Sequence, residues 1–561
     1  MVVRNTAARA AGLLVALALV AAACGGNDDG PSDPEAAGPR DTAVEEEGEP
    51  QYGGRLVYAR EAETSEPWTP QQALGDLSGL LVMRAIYDPL AVIDEDLQPA
   101  PYLAESITPN EDFTEWTIVT REGIEFHDGT PFDSAAVVAN LERAKQEILT
   151  SRVFKDVESF TAVDERTVRV ALTSPWATFD LALAGQTGFM ASPVWLAGVD
   201  AGSASALEPV GTGPFVYESY QVGADFVAER NENYWREDED GNQLPYLDAV
   251  EFRVLVDSNA RTNAVTAGDV DIMHQLISEE ILRLRDSVDA GELEMIEGEA
   301  FGETRFILMN LGKQDSPVRD PQVRRAMALA IDREELTELV GGGVNAVANG
   351  PWAPGSDWYE EDSGYPEFDQ EEAIRLVDEY EAENGDIQIT LGTTSDPTRL
   401  RPTERVQRYL EEAGIEADIE QVEQGQIILN AAFGRYETYN WRGFSGANPE
   451  SSYVFQHSDS SAPVEQLALN FGRVEDPAID EVLDRMHTTA DDAERAEAAK
   501  EFARLYNENL YALWLFHIVT GVAADPAVNG VGAATTPDGD PQIGVVAGLH
   551  SLEQVWMEDA G

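Results

Sequence analysis

The chain has 561 residues, with 104 acidic side chains against 37 basic ones and a formal net charge of -67. So large a negative surplus excludes nucleic acid as a partner, because phosphates would be repelled. One cysteine and six histidines, none paired at metal-ligand spacing, exclude internal disulfides and a transition-metal site, and no cofactor is expected.

Arg4 and Arg9, the apolar run Ala11 to Val20 and the small residues Ala21 to Ala23 follow one another as in a secretory leader, which predicts a signal peptide over 1–23. The apolar run is too short to span a bilayer, which takes roughly 20 residues. Ala21-Ala22-Ala23-Cys24 resembles a lipobox, with Ala21 where Leu is usual, and implies a lipid carried on Cys24. Residues 24–50, with Glu45, Glu46 and Glu47 in a row, lack the apolar surface to offset their ordering entropy. They are predicted to be an acidic, disordered tether with an rms span of about 25–30 Å.

The remaining body, about 510 residues, exceeds one ordinary core and predicts two or three lobes. Its charge includes only four lysines, Lys145, Lys155, Lys313 and Lys500, which predicts a halophilic surface whose self-repulsion is screened by salt. Trp116, Ile118 and then Ile124, Phe126 alternate around Glu122-Gly123 and predict paired strands, as do Val168, Val170 and Leu172 after Asp164-Glu165. Asp320-Pro321 reads as an N-cap and first turn, with Val323, Met327 and Ala330 on one face. Asp332 with Glu335, and Asp369 with Glu372, repeat the capping device. Helix and strand signals then alternate through Ile387–Leu391, Val406–Ala413 and Ile415–Ile419, with Gly414 as a stop, predicting an α/β lobe with a ligand cleft beside a hairpin-rich one.

Motifs for covalent chemistry fall short. Gly443-Phe444-Ser445-Gly446-Ala447 lacks the last glycine of a nucleophile elbow, and Gly211-Thr212-Gly213-Pro214-Phe215-Val216 fails as a dinucleotide fingerprint. Asp238, Asp240 and Asn242 begin like a calcium loop, but Gln243 replaces the glycine it needs. Ten tryptophans and seventeen tyrosines stand out instead. Trp68, Trp195, Trp352, Trp358 and Trp441 lie beside loop residues, where amphipathic aromatics suit a cleft that closes on a ligand.

Seven blocks in order carry a family resemblance: Ile86-Tyr87-Asp88-Pro89-Leu90, Leu103-Ala104-Glu105-Ser106, Phe126-His127-Asp128-Gly129-Thr130-Pro131, Gly211 to Phe215, Arg230 to Trp235, Val323 to Arg333 and Leu469-Asn470-Phe471. The chain resembles the extracellular solute-binding proteins of peptide and nickel importers, family 5. The resemblance implies a type II periplasmic-binding-protein fold in its large three-domain variant, α/β and bilobal with a hinge and a cleft. It places domain I at 51–85, 210–308 and 520–561, domain II at 86–209 and domain III at 309–519. It implies hinge closure on an oligopeptide or similar small solute, no enzymatic step and handover to an ABC permease; with the leader and Cys24 it predicts a monomer held to the outer face of the cell membrane by lipid.

Peptide-binding members carry an aspartate that pairs with the peptide amine. The matching stretch here, Asn440 to Pro449, has Ser445 or Gly446 near that place, and a hydroxyl does not replace the ion pair of a desolvated ammonium group. Candidate ligand residues are Trp441, Phe444, Ser445, Asn448, Arg442 and Trp352, with Arg442 suited to an anionic group. An exported hydrolase and a ligand sensor for a membrane partner are the rival readings.

Overall fold

The computed structural model describes residues 48–63, 68–73, 77–147, 150–298, 302–444 and 448–558. The leader, Cys24 and nearly all of the expected tether lie outside them.

Two large mixed sheets and one small antiparallel sheet organise these residues. The first sheet has seven strands in the order Glu294–Gly298, Thr520–Ala524, Ile272–Gln275, Arg55–Arg60, Ala249–Val254, Asp225–Arg230 and Phe215–Gln221. The second has six, in the order Ala346–Val347, Ala512–His517, Glu303–Met309, Thr438–Phe444, Gln388–Thr393 and Glu416–Gln421. The small sheet runs Ala104–Pro109, Glu115–Thr120, Thr167–Leu172 and Val157–Ala162. Each buries its own apolar set, respectively around Leu56 and Val250, Ile307 and Leu391, and Ile118 and Val168.

Helix starts follow the local rules. Asp320 accepts the Gln322 amide at 2.8 Å with Pro321 at the first helical position of Pro321–Ala330. Asp332 and Asp369 accept the Glu335 and Glu372 amides at 2.9 and 3.0 Å, opening Arg333–Gly341 and Gln370–Asn384. Such caps contribute about 1 kcal/mol each. The reciprocal half of the capping device is absent, because Glu335 pairs with Arg405 and Glu372 with Arg375, both at 2.6 Å. Strand Gln388–Thr393, helix Pro397–Glu412 and the parallel strand Glu416–Gln421 form one crossover unit, with Gly414 at φ +97° after the helix.

The expected pairing around Glu122-Gly123 does not form. Glu115–Thr120 pairs instead with Ala104–Pro109 and Thr167–Leu172. Residues after Gly123 make a tight turn at Asp128-Gly129, where Phe126 N–H donates to Thr130 O and Glu125 bridges Pro131. Alternation marks a strand but does not name its partner, and the partner at 167–172 lies some fifty residues away.

The chain leaves the first sheet at Gly298, enters the second at Glu303, and returns between His517 and Thr520. Where the chain enters and leaves the second sheet the two segments are adjacent, Ile518 N–H donating to Glu303 O at 2.8 Å. Two adjacent single-chain crossings can absorb the backbone rotation of a hinge. The first crossing comes earlier than the expected boundary at 308, since Glu303–Met309 pairs along its whole length with the second sheet. That strand is buried on both faces, so no alternation marks where it begins.

Candidate functional site

Pairing between Glu303–Met309 and Thr438–Phe444 sets the site. Its register places Phe306 opposite Trp441 and Arg305 opposite Arg442. Because side chains alternate across a strand, the aromatic pair meets one face of the sheet and the arginine pair the other.

On the aromatic face, Phe306 lies 5.1 Å from the Trp514 ring and Trp441 meets Phe471 edge-on at 5.5 Å. With Trp352 and Phe455 they enclose a pocket of about 260 Å³, bordered by Arg442. Trp352 is buried and packs on Phe502 at 5.8 Å. Trp441 is half-buried. The pocket is therefore a flat-walled apolar recess with one cation at its edge.

On the other face, a cavity of about 220 Å³ lies between both large sheets' lobes. Ser258, Asn259 and Leu276 contribute from one side and Arg305, Arg442 and Phe516 from the other. Arg442 lies 3.0 Å from Glu303 and 3.5 Å from Glu61, the residue that follows strand Arg55–Arg60. Burial alone would raise the Glu61 carboxyl, but Arg442, then His274 and Arg261, outweigh it and hold it well below the usual carboxylate range. His274 Nε2 stands 3.9 Å from Glu61.

The candidates from sequence divide three ways. Trp352, Trp441 and Arg442 come together around the aromatic pocket. Asn448 is on the wall of neither cavity, since its side-chain oxygen accepts the Glu450 amide at 3.0 Å. Phe444 ends the strand, and Ser445 lies outside the described residues. Of the other tryptophans near loops, Trp68, Trp195 and Trp358 are core residues. The Asp238 loop is closed on itself, its carboxylate accepting the Asp240 and Asn242 amides and the Tyr246 hydroxyl. Among the described residues no group of three or more His, Cys, Asp or Glu side chains could hold a metal ion, and no helix is long and apolar enough to cross a membrane.

Glu61, Glu303, Arg305, Phe306, Phe455 and Trp514 were not singled out by sequence. One signal existed for Arg305: a charged residue leading into the apolar run Phe306 to Met309 is expensive to bury and so marks a site.

Two mixed sheets linked by paired crossings, with one cavity at the junction and an aromatic recess beside it, have the fold of a bilobal type II periplasmic binding protein. The chain belongs to the bacterial extracellular solute-binding proteins of family 5: the profile described as "Bacterial extracellular solute-binding proteins, family 5 Middle" matches residues 98–466. It is the extracytoplasmic solute-binding component of an ABC importer. The glutathione-binding protein GsiB of Pectobacterium atrosepticum is 26% identical over 428 residues, covering 75% of this chain and 80% of that protein. Among solved structures, AgaA of A. tumefacien R10 in complex with agropinic acid superposes with a TM-score of 0.77 at 24% identity, covering 90% of this chain and 99% of that one. DppA from Helicobacter pylori in complex with peptide STSA gives a TM-score of 0.78 at 20% identity, covering 91% and 99%.

Proposed function

We propose that this protein closes on one small solute at the aromatic pocket around Trp441 and hands it unaltered to its permease. Phe306, Trp352 and Trp441 stack on the apolar part of the solute, and Arg442 at the pocket edge favours an anionic group on it. The observation that carries this reading is the aromatic recess beside a hinge of two oppositely directed crossings. The solute is an oligopeptide or a comparable small molecule, with a free α-amine disfavoured because Asn440 to Asn448 offers no aspartate. No covalent step is required of the chain. Cys24 carries the lipid that holds a monomer to the outer face of the cell membrane, and the acidic surface serves solubility at high salt.

Native mass spectrometry of the protein purified from its source tests this. A single co-purified solute of unchanged mass after long incubation is expected. Product formation with catalytic stoichiometry would overturn it. A Cys24→Ser variant is expected to appear in the medium rather than in the membrane fraction, and its retention on membranes would remove the anchor from the reading.

A further inference from the structure

The cavity on the far side of the same sheet has an unassigned chemistry. Arg305 and Arg442 are direct cross-strand partners, and like charges placed opposite one another destabilise a sheet. Arg442 is answered by Glu61 and Glu303. Arg305 is not: it is 3% exposed, its Nη1 donates to Asn440 at 3.0 Å, and its Nε is buried without a hydrogen-bond partner. Arg399, 7% exposed and not itself on the cavity wall, is near enough to repel it, and among the described residues neither Arg305 nor Arg399 has a carboxylate within 4.0 Å. Burial, then repulsion from Arg442 and Arg399, pulls Arg305 down to about 9, and Arg399 is likewise pulled to about 10, so both remain charged at neutral pH.

The acids on the cavity wall are already engaged. Besides Glu61, Asp257 caps its helix by accepting the Ala260 amide, Glu280 pairs with Arg283 at 2.7 Å, and Glu279 lies 3.5 Å from Arg401. Two buried guanidinium groups with no carboxylate in contact, and only more distant ones, Glu303 and Asp396 foremost, to offset them, are costly unless something supplies a closer counter-charge. In a chain of net charge -67 they are not there for want of acids.

We propose that the cavity between Arg305, Arg442 and the Ser258–Asn259 helix start is a binding site for a small anion of carboxylate or halide size. It lies on the opposite sheet face from the aromatic pocket, with Arg442 bordering both. Ser278 and Asn345 on its wall supply neutral donors, and 220 Å³ holds one such ion with water. Because the wall comes from both lobes and adjoins the crossing at Ile518, the ion stabilises the closed arrangement. This deepens the solute-binding reading only in placing a second ligand at the hinge.

The test uses the full mature chain and sodium acetate and sodium bromide as probes. A saturable rise in unfolding midpoint is expected with acetate, superimposed on the non-saturating effect of ionic strength. Arg305→Gln and, separately, Arg399→Gln should weaken the half-saturation point at least tenfold, whereas Trp441→Ala should leave it unchanged while reducing solute capture. Crystals soaked in bromide should show anomalous density beside Arg305. Acetate and the co-purified solute should bind independently; competition between them would assign the cavity to the solute's own carboxylate and overturn the second ligand. Absence of a saturable phase, an equal phase in both arginine variants, or bromide density only outside the cavity would overturn it. Loss of solute capture in Trp441→Ala with the anion effect intact separates the two sites.

Discussion

Arg442 and Glu61 approach to 3.5 Å although they belong to different sheets, one on strand Thr438–Phe444 and the other just after Arg55–Arg60. Their side chains are only 16% and 20% exposed, so the pair bridges the lobes where water screens it partly. Such a link contributes about 1 kcal/mol. Glu61→Gln is therefore expected to shift the unliganded protein about fivefold toward an open form. Small-angle scattering would register this as a larger radius of gyration, and an unchanged profile would remove the link from the closing mechanism.

Trp352 and Trp441 wall the same pocket but differ in burial, which separates stability from binding. Trp352→Ala leaves a cavity against Phe502 and should cost about 3–5 kcal/mol in urea unfolding. Trp441→Ala, at a half-buried position, should cost less than about 2 kcal/mol while weakening solute binding at least tenfold. Calorimetry with the co-purified solute, read beside the unfolding curves, checks both. Equal binding by the Trp441 variant would move the solute elsewhere.

Asp88 gives the fold a pH dependence. Burial raises its carboxyl to about 7, even though Trp235 Nε1 and Tyr234 OH donate to it at 2.9 and 3.1 Å. An unfolded aspartate titrates near 3.9, so between the two values the folded state holds the extra proton. The contribution is complete below about pH 4 and is lost as pH rises through 7. Stability should fall by on the order of 2 kcal/mol between pH 5.5 and 8. Asp88→Asn should flatten that slope and leave the variant relatively more stable at pH 8, as measured by urea midpoints across the range.

Gly211 has no room for a side chain, since an added Cβ would stand 2.0 Å from Ile86 O. His127 N–H donates to Gly211 O at 2.8 Å on its other side, so the segment cannot shift freely. Gly211→Ala should destabilise by about 1–3 kcal/mol. A wild-type denaturation midpoint would show that the helix end Leu77–Ile86 yields.

Much of the scaffold was legible because it depends on neighbours in sequence. Asp320, Asp332 and Asp369 cap the helices they were expected to cap, and the signals at Ile387–Leu391 and Ile415–Ile419 match parallel strands that begin one residue later, at Gln388 and Glu416, around one crossover helix. What depended on distant residues was less so. The partner of Trp116's strand and the early crossing into Glu303–Met309 are settled by pairing across long stretches of chain. The site divides the same way: Trp352, Trp441 and Arg442 were visible as residue types, whereas Phe306, Phe455 and Trp514 have ordinary core composition. Asn448 satisfied its own loop, as short amides often do. Arg305 became meaningful only when the register set it against Arg442.

The paired crossings have a mechanical consequence. Because the chain enters the second sheet once and comes back once, the strand Arg55–Arg60 near the beginning and the strand Thr520–Ala524 near the end sit in the same seven-stranded sheet. The two ends of the described body therefore share one sheet, and opening of the cleft displaces the six-stranded sheet with Trp441 and Arg442 relative to both of them together.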